Sequence, residues 1–214
     1  MSEKRKSRLI SPRRTILKTI TLTGAMSLGS TGAVAQATDR DVWVFDVGNL
    51  VVSSPTVVED TLYVGSNGSD VYAINKSTGD KKWIFETGEF VNSSPAVVND
   101  TVYIGSNDNN VYAIDRNTGK KRWEFDTGDK IRSSPTFSNG TVFIGNGDFR
   151  DPTDTAVYAI NADSGQKEWR YEVGDRVSSA PIVDKEVVYV TSTDGKLYAL
   201  NTMDGSLNWS KDIG

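Results

Sequence analysis

The chain has 214 residues, balances 24 Lys/Arg against 28 Asp/Glu, and contains neither cysteine nor histidine. That composition excludes disulfides, thiolate or His-ligated metal sites, cysteine nucleophiles and a Ser-His-Asp triad. Carboxylate pairs, lysine or tyrosine bases and oxygen-ligated metals are the chemistries left.

Charge is divided along the chain. Residues 1–37 hold seven Lys/Arg and one Asp/Glu, net +6, whereas residues 38–214 hold 17 and 27, net −10. A body this acidic repels phosphate, so nucleic acid is not an expected partner.

The first segment, 1–37, reads as an address. A basic stretch is followed by Arg13-Arg14-Thr15-Ile16-Leu17-Lys18, then a weakly apolar run, then Ala33-Val34-Ala35 and Ala35-Gln36-Ala37. This order is that of a signal peptide with a small-residue cleavage site. The pair Arg13 and Arg14 resembles a twin-arginine export signal, which is read by a receptor. Lys18, Gly24 and Gly29 interrupt the apolar run, so no membrane span is expected there. The expected location is outside the cell or at its surface.

From residue 38 onward one unit repeats. Tryptophans fall at 43, 83, 123, 169 and 209, a spacing of 40 broken once by 46. Ser53-Ser54-Pro55 returns at 93–95 and 133–135, and as Ser179-Ala180-Pro181. Tyr72-Ala73-Ile74-Asn75 returns at 112–115, 158–161 and 198–201. Each unit reads as four short strands, since runs of β-branched and aromatic residues alternate with Asn/Asp/Gly clusters. In the second copy these strands are expected over 95–98, 101–105, 111–115 and 122–126. Asp194-Gly195 suits a type I′ turn, and the glycines at 79, 119, 165 and 205 suit a left-handed backbone. Trp83 and Phe85 share one strand face, with counterparts in the other copies, so that face is expected to be buried. Four-stranded units of about 40 residues indicate propeller blades, which bury their faces only by stacking.

The repeat resembles the PQQ-like β-propeller family, with its pattern Ala-x-(Asp/Asn)-x-x-Thr-Gly-x-x-x-Trp. Ala73, Asn75, Thr78, Gly79 and Trp83 fill it, as do Ala113, Asp115, Thr118, Gly119 and Trp123. The third and fourth copies match at Ala159, Asn161, Gly165 and Trp169 and at Ala199, Asn201, Gly205 and Trp209. The resemblance implies an all-β propeller in which this segment docks the tryptophan between blades. The family includes noncatalytic proteins such as the outer-membrane assembly factor BamB, and quinoprotein dehydrogenases that use pyrroloquinoline quinone and calcium. With four repeats and no cysteine pair, the expectation is a noncatalytic module that binds a protein partner and carries no cofactor. The alternative is an extracellular ligand binder or a fragment of a quinoprotein-type enzyme.

Function in such a fold is expected on loops. The inter-blade connections carry Glu89, Asn92, Asp129, Lys130, Arg132, Asp175 and Arg176. The third repeat has six extra residues, and its loop 146–155 offers Asp148, Asp151 and Asp154, which read as a solvated acidic insertion; a contribution to a calcium site is the alternative, although the spacing is not that of an EF-hand loop. The same loop offers Phe149 and Arg150 to a partner. Six Asn-x-Ser/Thr sequons, at Asn67, Asn75, Asn92, Asn99, Asn139 and Asn208, are candidate glycan acceptors, with Asn99 and Asn139 on hairpin tips.

The array comprises four full units, 53–88, 93–128, 133–174 and 179–214, after a spare tryptophan strand at 42–46. Lys211 replaces the aromatic of Phe85, Phe125 and Tyr171, as edge strands often do. A closed four-blade ring, half of an eight-blade ring and a truncated arc are the alternatives, with self-association expected.

Overall fold

The computed structural model describes residues 43–214; the segment read as an export signal, with Arg13 and Arg14, lies outside the described residues. Blade 1 consists of β1 (Thr56–Val58), β2 (Thr61–Gly65), β3 (Asp70–Asn75) and β4 (Lys81–Glu86). Blade 2 consists of β5 (Ala96–Val98), β6 (Thr101–Gly105), β7 (Asn110–Asp115) and β8 (Lys121–Asp126). Blade 3 holds β9 (Thr136–Ser138), β10 (Thr141–Gly145), β11 (Ala156–Asn161) and β12 (Lys167–Glu172). Blade 4 holds β13 (Ile182–Asp184), β14 (Val187–Thr191), β15 (Lys196–Asn201) and β16 (Leu207–Asp212). Each blade is an antiparallel meander in chain order.

Turn chemistry sets the register. The glycines at 79, 119, 165 and 205 have φ between 70° and 76°, as their place in the repeat requires. Asp194-Gly195 differs from expectation. The hairpin there has a three-residue loop, 193–195, closed by the Ser192 N–H donating to the Lys196 carbonyl at 3.0 Å. Only its last residue, Gly195, has a positive φ, of 86°. Three-residue hairpins put just that position in the left-handed region, so Ser69 and Asn109 serve equally in blades 1 and 2. The true type I′ pair is Asn139-Gly140, with φ of 49° and 84°.

The cores lie between blades. Tyr63, Val71, Ala73 and Trp83 of blade 1 pack with Val91, Val102, Ile104 and Ile114 across the first junction. Equivalent sets fill the second and third junctions. At each junction the tryptophan of one blade lies on the left-handed glycine of the next: Trp83 on Gly119, Trp123 on Gly165 and Trp169 on Gly205. Its indole N–H donates to a carbonyl in the same turn, Arg116 at 2.8 Å, Ala162 at 2.9 Å and Thr202 at 2.8 Å. A Cβ on those glycines would come within 2.7–2.9 Å of the ring, so glycine is needed for contact as well as for φ. A second close fit lies at the end of each second strand. Val91, Ile131 and Val177, all buried, sit where side chains on Gly65, Gly105 and Gly145 would stand.

The Ser-Ser-Pro phrase links blades near their first strands. Its first hydroxyl bonds the backbone of the second strand, as Ser53 and Ser133 do with Gly65 and Gly145. Its second hydroxyl reaches the preceding blade: the Ser54 N–H donates to Ser94 Oγ at 2.8 Å, and the Ser94 N–H to Ser134 Oγ at 2.9 Å.

The four sheets do not close into a ring, which removes the closed four-blade alternative. Residues 43–47, expected as part of a spare strand, carry no strand pairing, yet they cover one end of the arc, with Trp43, Phe45 and Val47 packed on Val64, Tyr72 and Ile74 of blade 1. At the other end every residue of β16 is exposed, whereas β4 and β12 bury their tryptophans.

Candidate functional site

The six-residue insertion of blade 3 is a built loop. Asp129, in the connection entering blade 3, is only 5% exposed. Its Oδ2 accepts the Thr153 N–H at 2.6 Å, the Asp154 N–H at 3.1 Å and the Thr153 hydroxyl at 3.2 Å. Its Oδ1 accepts the Lys130 N–H at 2.7 Å. A carboxylate holding several amides removes the conformational freedom of both strands of chain that it joins. Asp129 therefore anchors the loop and presents nothing outward.

The three loop carboxylates do not converge. Asp148 faces Lys130 Nζ at 3.5 Å and Arg132 Nη2 at 3.5 Å. Partial burial pushes its carboxyl up, but the N–H groups of Phe149 and Arg150 and the two cations outweigh this and hold it below the usual range. Asp154 pairs with Arg170 and accepts the Tyr158 hydroxyl at 2.6 Å. Burial, then that bond, pushes the Tyr158 phenol up to about 12. Among the described residues no group of three acidic side chains is placed to hold a metal ion.

What the loop does present is aromatic and basic. Phe149 is 63% exposed, and the Arg176 guanidinium lies over its ring at 4.5 Å. Beneath it a cavity of about 310 Å³ is lined by Glu89, Phe90, Asn107, Lys130, Arg132, Asp148, Phe149 and Arg150. Connections and hairpins of blades 1–3 thus meet here, because the Asn107 N–H donates to the Phe90 carbonyl and the Gly147 N–H to the Lys130 carbonyl. Of the connection residues singled out by sequence, Glu89, Lys130 and Arg132 gather at the cavity. Asp175 instead caps its own turn through the Arg176 N–H at 2.7 Å. Phe90 and Asn107 were not legible as site residues. Their signal was faint: an exposed Phe where other copies place Leu50, Lys130 or Arg176, and an Asn shared only with Asn67.

The sequons separate by environment. Asn75 uses its Oδ1 to accept the Ser77 and Thr78 N–H groups, a structural turn role. Asn99 and Asn139 stand exposed on hairpin tips, as expected.

The family profile described as outer membrane protein assembly factor BamB matches residues 28–131 and 107–214. Among curated proteins none matches. Similar solved structures include BamB from Moraxella catarrhalis, at 17% identity and TM-score 0.69, covering 80% of this chain and 56% of that one. The quinohemoprotein alcohol dehydrogenase ADHIIG from Pseudomonas putida HK5 is similar at 22% identity and TM-score 0.70, covering 78% of this chain and 35% of that one. A europium-containing methanol dehydrogenase is similar at 17% identity and TM-score 0.70, covering 79% and 43%. The chain thus spans about half or less of these structures, and the likeness is one of fold. With tryptophan docking in every junction and the profile matched along nearly all of its length, the chain belongs to the PQQ-like propeller family of the outer membrane protein assembly factor BamB.

Proposed function

We propose that this chain is an exported, noncatalytic module that binds a protein partner through the face formed by its inter-blade connections and the loop 146–155. The observation that carries this reading is the anchoring of the loop. A buried carboxylate, Asp129, holds the loop in place while Phe149 is left exposed. Exposed aromatics and arginines on a fixed frame are what protein interfaces use as anchors. The noncatalytic part rests on the lack of any cysteine, and so of the pair that quinoprotein dehydrogenases carry near their cofactor. Export rests on the segment 1–37 and its arginine pair.

Photocrosslinking tests the reading. A photoreactive residue at position 149 or 150 should capture one discrete protein in producing cells, and the same residue at Asn139 should not. Equal capture at both positions, or none at either, would overturn the assignment of this face. The mature protein mixed with pyrroloquinoline quinone, calcium and common alcohols or aldoses should reduce dye no faster than a protein-free control. The variant Arg13→Lys/Arg14→Lys should remain inside the cell; normal export would reject the twin-arginine signal.

A further inference from the structure

We infer that the cavity under Phe149 is the seat of an acidic protein segment that also carries apolar side chains. This rests on the protein-binding reading above and names the chemistry of the partner. Two features of the cavity converge on it.

The first is charge. Lys130, Arg132 and Arg150 line the cavity and Arg176 stacks over Phe149, against the two carboxylates of Glu89 and Asp148. Asp148 is already engaged by Lys130 and Arg132, whereas Arg150 and Arg176 make no ion pair among the described residues. The patch is net positive on a body of net −10. Its unpaired guanidinium groups attract a carboxylate, and the net negative charge of the body disfavours an acidic partner elsewhere.

The second is apolar surface. Phe149 and Phe90 are 63% and 45% exposed on the same wall. Rings beside unpaired guanidinium groups suit a segment that alternates carboxylates with apolar side chains.

The probe is a random Glu/Tyr copolymer, titrated into the mature protein and followed by fluorescence anisotropy. Saturable binding that weakens with salt is expected. Arg150→Glu should weaken it by about tenfold or more, and Phe149→Ala by several-fold. Both side chains are exposed, so thermal midpoints should not move. Lys185→Glu, at the opposite hairpin tips, should bind like the parent; there Glu59 already occupies the matching position with the same φ of 54°. No saturable binding, or binding indifferent to both loop variants, would overturn the inference. So would equal competition by free glutamate or phosphate, which would mark a small-anion site. Stronger binding of poly-lysine would reverse the charge assignment. A protein crosslinked at 149 through a neutral or basic segment would sink the inference while leaving the protein-binding reading intact; absence of any crosslink would sink that reading itself.

Discussion

At the second junction Trp123 lies on Gly165, its indole bonded to the Ala162 carbonyl, and Ile131 fills the space over Gly105. On the outward face of blade 4 the same elements stand without a neighbour. Trp209 is 44% exposed, and its ring faces Tyr189 of its own blade, with centroids 6.0 Å apart. Thr191 occupies the place of Gly105, and Lys211 that of Phe125. The two regions share a backbone and differ in their fit to a neighbour. A blade is thus a complete sheet by itself, but its core is completed only by the next blade's glycine turn and apolar connection residue.

The contrast can be broken most severely at the tryptophans. Trp83→Ala should cost about 3–5 kcal/mol, because a packed indole and its hydrogen bond are lost together. Trp209→Ala should cost about 1 kcal/mol or less, since that ring is already half in water. Urea unfolding of the two variants checks the asymmetry, and equal losses would show that the exposed face is covered in solution. Native mass of the parent and of Trp209→Ala at micromolar concentration tests the expected self-association: an oligomeric parent and a more monomeric variant are the expected result. An unchanged mass would separate association from this face.

The glycine sockets give the next effect. Gly105→Val would drive a side chain into Ile131, which already lies 2.3 Å from the position of a Cβ. The expected loss is about 1–3 kcal/mol. Thr191→Gly, at the matching place in blade 4, should shift stability by less than about 1 kcal/mol. Loss at the loop anchor should be comparable to the socket's lower end. Asp129→Ala leaves the amides of Thr153 and Asp154 without an acceptor, and about 1–2 kcal/mol is expected. Limited proteolysis should then cut within 146–155 in the variant and spare the parent.

The smallest effect is electrostatic. Arg122, then the Thr118 hydroxyl and N–H, holds the Asp115 carboxyl down to about 2. A depressed carboxylate contributes stability that is fully present above its unfolded value near 4 and is lost as pH falls through about 2. Asp115→Asn, which installs the residue found at Asn75, Asn161 and Asn201, should lie closer to the parent at pH 2 than at pH 5. A difference independent of pH would assign the site to its turn hydrogen bonds. The ion pair is surface-exposed, and salt should shrink the difference.

The blades were legible because their signals are local and repeat. A strand, its turn glycine and its tryptophan lie within one 40-residue phrase, so β6 (Thr101–Gly105) was anticipated residue for residue. The Asp194-Gly195 turn was misread because a dipeptide does not reveal how many residues the hairpin loop contains. The candidate site was less legible. In sequence Asp129 is one of several charged residues of the inter-blade connections, and its buried role depends on Thr153 and Asp154, far along the chain. Gly65, Gly105 and Gly145 recur in register, but only their approach to Val91, Ile131 and Val177 explains why. Phe149 and Arg150 could be singled out since they interrupt the repeat.

The serine links have a consequence for how such a chain can change length. Ser54 meets Ser94 and Ser94 meets Ser134, each by a step of 40 residues. Blades 1 to 3 therefore address one another through groups that are chemically the same at both junctions. Excising residues 93–132 would bring Ser54 to Ser134 and Trp83 to Gly165 and would leave Gly65 on Val91, with each partner of the kind already in use. Unequal recombination between repeats can lengthen or shorten the gene without inventing an interface, so the number of blades is free to drift while the junction is held constant. Ala180, which has no hydroxyl to offer Ser134, marks the step at which that interchangeability lapses.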